Sequence, residues 1–322
     1  MKAIQILLNG GPEVLLVREV EPKTPAEGEI LIKVHATGVN FIDVYHRSGL
    51  YKNAVPFVPG VEGAGVVEAL GAGVDRFAVG DRVAWCMQPG AYAEYATVPS
   101  RVVVKMPDDV SFDLAAAAML QGLTAHYLVK STCLLQAGQI ALIHAAAGGV
   151  GLLLVQMAKA LGATVIGTTS TEEKAALVRN AGADHVVLYT EEDFLPAVKR
   201  ITNNGGVHVV YDSVGATTFS SGLKCLKPRG TMVSFGQSSG PVEPISPLEL
   251  SANGSLYLTR PTLAHYMLDR AELDWRAGEL FGMIESGALD VRIDSTFSLA
   301  DAAAAHVALE SRKTAGKVLL IP

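Results

Sequence analysis

The chain has 322 residues, of which 49% are hydrophobic, so it can bury a large core and is long enough for about two domains. Its formal net charge of −6 argues against a broad nucleic-acid surface, which needs clustered Lys and Arg, and we therefore expect small-molecule partners more than nucleic acid. The cysteines, Cys86, Cys133 and Cys225, lie far apart and form no CxxC pair, which gives no support for a disulfide framework or a zinc site.

The first residues, 1–11, lack the uncharged apolar core and the cleavage pattern of a signal peptide. No run of about 20 apolar residues occurs that could span a bilayer. Few, scattered cysteines are typical of a reducing compartment. We therefore expect a cytoplasmic protein with no membrane partner.

The amino-terminal part of the chain predicts a compact, barrel-like, β-rich domain. Residues 29–36 place Ile30, Ile32 and Val34 on one face and polar side chains on the other, which is the period of a half-buried strand. Similar short apolar runs, separated by glycines and a proline, lie at 65–70, 82–85, 91–98 and 102–105. Short strands with frequent turns are typical of such a domain.

Beyond residue 111 the sequence predicts a helix at 113–129, followed by an alternation of strands and helices. Helix-like stretches that end at Gly162 and Gly182 separate some of the strand-like runs. These runs lie at 140–144, 164–168, 185–189, 208–212, 231–236 and 255–260. Parallel strands with crossover helices explain this alternation most simply, so we predict an α/β fold with a doubly wound, six-stranded parallel sheet.

The last part of the chain returns to the first domain in our interpretation. After residue 260 the pattern is helical at 268–285, strand-like at 292–297, and ends with a helix and a strand at 317–321. The predicted domains are therefore a β-rich domain of residues 1–124 and 262–322 and an α/β domain of residues 125–261.

A glycine-rich turn at 144–151 joins the first strand of the second domain to a helix. It contains Gly148, Gly149, Val150 and Gly151. Glycines allow a sharp turn and a close approach to phosphates, while free N–H groups and the positive end of the helix dipole face the anion. Because the turn lies between a strand and a helix, we predict that it binds the pyrophosphate of a dinucleotide.

The end of the next strand predicts which dinucleotide is bound. In an NAD site, an acidic residue about 20 residues past the glycine turn holds the ribose hydroxyls. Residues 167–171 read Gly-Thr-Thr-Ser-Thr instead, with hydroxyls that can donate to a 2′-phosphate and with Lys174 one helical turn further on. NADPH is therefore favoured over NADH. Alternatively, residues 169–171 cap the next helix and Lys174 is solvated; both interpretations can hold together.

These motifs and others resemble those of the zinc-independent quinone oxidoreductases, the zeta-crystallin-like family of the medium-chain dehydrogenase/reductase superfamily. The resemblance spans essentially the whole chain. Its motifs lie at 10–15, 40–45, 47–51, 59–65, 79–83, 144–151, 211–215, 234–236 and 258–261. It implies a GroES-like catalytic domain beside a Rossmann domain, with NADPH in the cleft and a quinone presented to its nicotinamide.

The resemblance also implies that this chain works without a metal. In zinc-dependent relatives, the position of Asn40 carries a Cys ligand and that of Val61 a His ligand. An Asn amide and a Val side chain do not replace these ligands, so the Lewis-acid route is disfavoured. Some bacterial relatives have Thr at the position of Val61, so a hydroxyl proposed to line their substrate site is missing here.

Position by position, the resemblance implies the functional residues. Asn40, Asp43 and Tyr45 are expected near the nicotinamide end of the cofactor, and Tyr51 at the mouth of the substrate cleft. The cofactor residues are expected to form the pyrophosphate turn, the adenosine phosphate pocket, the inner wall and two further cofactor-side positions: Gly148, Gly149, Val150 and Gly151; Ser170, Lys174 and Tyr189; Ser213, Phe235, Gly236 and Ser238; and Arg260 and Arg312. No metal ligand is expected.

We expect hydride transfer from nicotinamide C4 to a quinone. A quinone is already electrophilic, so the reaction needs positioning more than acid catalysis. Tyr45 or Asn40 is expected to hydrogen-bond the developing oxyanion. Alternatively, Tyr45 and Tyr51 only line the cleft or pack, and Asp43 serves a structural turn rather than proton transfer.

Two other functions stay open at this point. The first is NADPH-dependent reduction of the double bond of an enone or alkenal, because the same hydride can add to any electron-poor π-system. The second, of another class, is that of family members that bind AU-rich RNA or serve as crystallin-like structural proteins. The intact cofactor motifs favour an enzyme.

The oligomeric state is predicted from one strand. The apolar residues 256–259 would lie at an edge of the doubly wound sheet, where unpaired backbone groups invite pairing. The resemblance implies that such edges pair across a twofold axis. We therefore expect a homodimer formed through this edge.

Overall fold

The computed structural model describes residues 1–322 and divides into two compact units. The first unit comprises Met1–Leu123 and Tyr266–Pro322, and the second comprises Thr124–His265. The chain passes from the first unit to the second within one helix, Phe112–Tyr127.

The elements are numbered in chain order. The strands are β1 Lys2–Gln5, β2 Leu16–Glu19, β3 Glu29–Val39, β4 Glu62–Leu70, β5 Arg82–Cys86, β6 Tyr95–Pro99, β7 Val103–Lys105, β8 Ile140–Ile143, β9 Thr164–Thr169, β10 His185–Leu188, β11 Val207–Asp212, β12 Leu226–Ser234, β13 Tyr257–Thr259, β14 Ile293–Ser298 and β15 Lys317–Ile321. The helices are α1 Phe41–Ser48, α2 Phe112–Tyr127, α3 Gly149–Ala160, α4 Glu172–Asn180, α5 Phe194–Ile201, α6 Phe219–Cys225, α7 Pro247–Ala252, α8 Arg270–Glu285 and α9 Ala302–Glu310.

The first unit is built on a seven-stranded sheet. Its strand order is β14-β15-β3-β4-β5-β7, and β6 also pairs with β3; a separate antiparallel pair joins β1 to β2. The alternation in β3 buries Ile30, Ile32 and Val34, which share a core with Trp85 of β5. The β-rich first domain expected from the sequence is therefore confirmed.

The carboxyl-terminal segment completes the first unit. β15 pairs antiparallel with β3, so that Leu319 lies opposite Gly38. Above this pair, α9 packs Ala302, Ala305 and Leu309 into the same core as Leu320 of β15. This packing buries one face of α9, a helix composed mostly of alanine.

The second unit contains a sheet of six parallel strands in the order β10-β9-β8-β11-β12-β13. Leu142, Val210 and Met232 from its central strands share one core with Phe194 of α5. The strand order reverses between β8 and β11, and in such sheets ligands bind outside the carboxyl ends of the strands at this point. The predicted doubly wound sheet is confirmed.

Some predicted boundaries shift. The run at 91–98 contains a strand only at Tyr95–Pro99, because Tyr92 N–H donates to Pro59 O and Ala93 forms an isolated bridge with Ala3. The chain after α2 continues as a π-helical turn, Leu128–Thr132. Gly162 and Gly182, with φ of 79° and 106°, adopt the left-handed conformation expected after α3 and α4. None of the helices combines the length and the apolar character needed to cross a membrane.

Candidate active site

The glycine turn of the second unit leaves the start of α3 open to an anion. Gly148 is the N-cap of α3, and no side chain caps this end. The first N–H groups of a helix have no intrahelical partner, so those of Gly149, Val150 and Gly151 are available to a ligand. A Cβ atom on Gly151 would lie 2.4 Å from Ala145 O, so only glycine fits there. These donors fit the pyrophosphate of a dinucleotide.

The ends of β9 and β10 lie side by side next to this turn. Tyr189 N–H donates to Thr169 O at 3.1 Å, and the Thr190 hydroxyl donates to Ser170 O at 2.7 Å. Thr171 Oγ1 caps α4 by accepting from Lys174 N at 3.4 Å. The capping alternative is thus present, and it leaves the Lys174 side chain at the same end of the sheet as Ser170 and Tyr189.

The turn after β11 is organised by a residue that we did not predict. Asp212 is fully buried, and its Oδ1 accepts from Val214 N at 2.7 Å, Gly215 N at 3.1 Å and Thr218 Oγ1 at 2.9 Å. An Asp followed by small residues and glycine is the sequence signal of such a turn.

The predicted inner-wall residues meet at this turn. Ser238 N–H donates to Ser213 O at 3.1 Å, and Phe235 N–H donates to Asp212 O at 2.8 Å. A Cβ atom on Gly236 would lie 2.6 Å from Ser213 O. Arg260 directly follows β13, whereas Arg312 lies in the first unit, after α9. The second unit therefore contains every predicted cofactor residue except Arg312.

In the first unit, Asn40 lies between β3 and α1 and is almost fully buried. Its Nδ2 donates to Gly38 O at 3.2 Å and to Glu62 Oε2 at 2.8 Å, and its Oδ1 accepts from Lys317 Nζ at 2.7 Å. Because an ammonium group only donates, the amide oxygen must face Lys317. Both N–H bonds are then used within the protein, so Asn40 has no donor left for an oxyanion.

The partners of Asn40 form a buried ion pair that the sequence did not reveal. Glu62 and Lys317 are each fully buried and hydrogen-bonded to each other. Glu62 Oε1 also accepts from Leu120 N at 2.5 Å. A Cβ atom on Gly38 would lie 2.3 Å from Glu62 Oε2, so glycine is needed beside the pair. Strands β3, β4 and β15 and helix α2 meet at this cluster.

The remaining predicted residues lie on or just after α1. Asp43 is fully buried; its Oδ2 accepts from Asn40 N at 2.9 Å and closes the N-terminus of α1, and burial raises its pKa to about 7. The rings of Tyr45 and Tyr51 meet edge to face with centroids 5.1 Å apart. Tyr51 N–H donates to Tyr45 O at 3.0 Å. The structure thus brings Asn40, Asp43, Tyr45 and Tyr51 together, with Asp43 placed for a positioning role.

Two further observations concern metal binding and a cavity in the first unit. No group of three or more His, Cys, Asp or Glu side chains is placed to hold a metal ion. A cavity of about 490 Å³ in the first unit is lined by Val104 and Met106, which flank the end of β7, and by Arg270 and Phe281 of α8, among others. None of the predicted site residues lines this cavity.

Known proteins resemble the whole chain. Residues 26–108 match the alcohol dehydrogenase GroES-like domain, and residues 149–277 match the zinc-binding dehydrogenase domain. A quinone oxidoreductase from Pseudomonas aeruginosa is 47% identical, over 100% of this chain and 99% of its own. A 2-haloacrylate reductase from Burkholderia sp is 44% identical, over 97% of this chain and 96% of its own. The crystal structure of Escherichia coli quinone oxidoreductase complexed with NADPH superposes with a TM-score of 0.98, at 45% identity and 100% coverage of both chains.

We expect Lys317→Met to destabilise the protein by about 3–5 kcal/mol, because it leaves the buried carboxylate of Glu62 without its counter-charge. Urea unfolding followed by circular dichroism measures this. Lys313→Met, at an exposed position three residues after Glu310, should change the free energy of unfolding by less than about 0.5 kcal/mol. The double variant Glu62→Gln/Lys317→Met should recover much of the loss. Equal stability of Lys317→Met and the wild type would contradict the role of the pair.

Proposed function

This chain belongs to the quinone oxidoreductase family of the medium-chain dehydrogenases/reductases, and from this premise we propose that it is an NADPH-dependent quinone reductase. The observation that carries the proposal is the 47% identity, over the full length, to a quinone oxidoreductase. The open N-terminus of α3 and the absence of a carboxylate at the end of β9 support NADPH as the reductant.

The second unit would hold the cofactor, through residues 125–261. Gly148, Gly149, Val150 and Gly151 offer backbone N–H groups to the pyrophosphate. Ser170, Lys174 and Tyr189 would bind the adenosine phosphate, and the turn around Ser213, Phe235, Gly236 and Ser238 would line the inner part of the site. Arg260 and Arg312 would contribute further cofactor contacts. Transfer of a hydride to the substrate is the chemistry that NADPH supplies when bound.

Residues 1–124 and 262–322 would hold the quinone, with Tyr45 and Tyr51 beside it. Because both N–H bonds of Asn40 are used within the protein, the hydrogen bond to the developing oxyanion is assigned to the Tyr45 hydroxyl. Asn40 and Asp43 then act by holding the start of α1. A quinone gains aromaticity on hydride addition, so such a site needs to orient the ring more than to donate a proton.

A second candidate function is reduction of an electron-poor carbon–carbon double bond. It is favoured by the 2-haloacrylate reductase that is 44% identical over 97% of this chain. The same hydride donor serves both reactions, and the products differ: a quinone gives an aromatic hydroquinone anion, whereas hydride addition to the β-carbon of an enone or acrylate gives an enolate-type anion. The substrate preference therefore has to be measured.

We expect NADPH oxidation, followed at 340 nm, to give a kcat/KM for 1,4-benzoquinone at least about tenfold above those for 2-chloroacrylate and 2-hexenal. A tenfold ratio corresponds to a difference of about 1.4 kcal/mol in transition-state binding. A simple aldehyde serves as the negative control. The reverse ranking would establish the second candidate. No oxidation with any electron-poor substrate would overturn both.

The cofactor assignment predicts that Lys174→Glu raises the KM for NADPH by roughly 10–100-fold, since a charge-assisted contact to a phosphate is lost and a repulsion is added. The KM for NADH should change little, because NADH carries no 2′-phosphate. Lys224→Glu, an exposed charge reversal on α6 in the same unit, is the matched control and should leave both constants unchanged. Equal increases for the two cofactors in Lys174→Glu would refute the assignment.

We also propose a homodimer through the edge strand β13, and a cytoplasmic location on the basis of cysteine usage. β13 pairs on one side only, and its Tyr257 and Leu258 are 62% and 39% exposed. An apolar sheet edge left open in this way is a typical pairing surface.

Light scattering coupled to size exclusion should give a mass of twice 33.8 kDa. Leu258→Lys should shift the population toward the monomer, because it places a charge in the paired edge. Leu268→Lys, at a position 77% exposed in the first unit, should not. A monomeric mass for the wild-type protein at micromolar concentration would remove the proposal.

A further inference from the structure

Asp43 is the inner end of a chain of hydrogen bonds that starts near the surface. Arg47 donates to both carboxylate oxygens of Glu310, at 2.8 and 3.0 Å. Its Nη1 also lies 3.1 Å from His306 Nδ1. His306 Nε2 lies 3.1 Å from the Tyr92 hydroxyl, which lies 3.2 Å from Asp43 Oδ2. Glu310 is one-third exposed, whereas the other members are buried.

From Arg47 inward, each hydrogen bond is donated in the direction of Asp43. A guanidinium group only donates, so His306 Nδ1 must be the acceptor. Burial and Arg47 lower the pKa of His306 to about 3, so the ring is neutral and its hydrogen is on Nε2, which donates to Tyr92. Burial raises the pKa of Tyr92 well above its usual value, so its hydroxyl keeps the proton and donates to Asp43.

The Asp43 carboxyl group depends on these donors. Its Oδ2 accepts from Tyr92 and from Asn40 N, whereas its Oδ1 is buried without a hydrogen-bond partner. Burial raises its pKa, Glu62 raises it further, and the two donors and Lys317 lower it. A protonated carboxyl group would be a weaker acceptor for Asn40 N and would need a partner for its own O–H.

We propose that Tyr92, His306 and Arg47 are positioning residues: they hold Asp43 as a carboxylate, and this carboxylate holds the first turn of α1, which carries Tyr45. Asp43 Oδ2 also accepts from the backbone N–H of Asn40, the N-cap of α1, so the carboxylate at the inner end of these hydrogen bonds sets where α1 starts. A carboxylate at a helix N-terminus is also favoured by the helix dipole. The effect on turnover rests on the proposed quinone reduction; the effect on the ionisation of Asp43 does not.

The first test measures that ionisation directly. Infrared difference spectra between pH 5 and 9 report the C=O stretch of a protonated carboxyl group, and Asp43→Asn identifies the band of Asp43. Tyr92→Phe removes one hydroxyl and keeps the ring, so we expect the midpoint of this band to move up by about one pH unit, the shift that one lost hydrogen bond implies. His306→Leu should move it in the same direction. Tyr95→Phe changes a tyrosine of β6 that is not part of these hydrogen bonds, and it should leave the midpoint unchanged.

An unchanged midpoint in Tyr92→Phe would overturn the proposal even if the protein reduces quinones, and so would an Asp43 carboxyl group that is still protonated at pH 9 in the wild type. If the protein does not reduce quinones, the infrared result still decides whether the hydrogen bonds through Tyr92 control the ionisation of Asp43.

The second test measures turnover with a quinone as a function of pH. Because the active form is the carboxylate, kcat should fall on the acidic side, and Tyr92→Phe should move this fall to higher pH together with the infrared midpoint. Asp43→Asn should have a lower kcat without this acidic fall, and the KM for NADPH should stay constant in every variant. Folding is checked by circular dichroism. An infrared midpoint that moves while the pH profile of kcat stays in place would refute the positioning role.

Discussion

The first unit depends on the pairing of the buried ammonium group of Lys317. A fully buried charge is costly unless it is paired and hydrogen-bonded, and here Glu62 and Asn40 meet both needs. Since Lys317 lies in the last strand, pairing it ties the end of the chain to β3, β4 and the start of α1. The orientation of the Asn40 amide follows from the same contact, because only its oxygen can face an ammonium group.

The second unit solves a different problem, which is how to present backbone donors to an anion. Parallel strands place all their carboxyl ends at one edge of the sheet, so the topology itself brings the turns after β8, β9, β11 and β12 together there. Asp212 also acts locally, because its carboxylate organises the turn that follows it. Local sequence therefore determines most of this half of the site.

That difference explains what the sequence could and could not predict. The alternation in β3, the glycine turn before α3 and the strands of the parallel sheet depend on neighbours in sequence, and the structure confirms them. The Asn40–Lys317 contact joins residues 277 positions apart, and the Tyr92–His306 contact joins residues 214 apart. No local pattern marks such pairs, since a lone Lys, Glu or His has many possible partners. These long-range contacts also use both side-chain N–H bonds of Asn40, so the sequence could not show that Asn40 has no donor left for an oxyanion.

The two networks of the first unit meet at Asn40. Its side chain belongs to the Lys317–Glu62 cluster. Its backbone N–H donates to Asp43, which is the inner end of the hydrogen-bond series through Tyr92, His306 and Arg47. Side chain and backbone of one residue are thus fixed by separate sets of buried charges. Such a residue cannot turn toward a substrate without breaking one set, so its contribution is rigidity. For an electrophile that needs orientation rather than activation, a rigid start of α1 beneath Tyr45 is the property that this arrangement supplies.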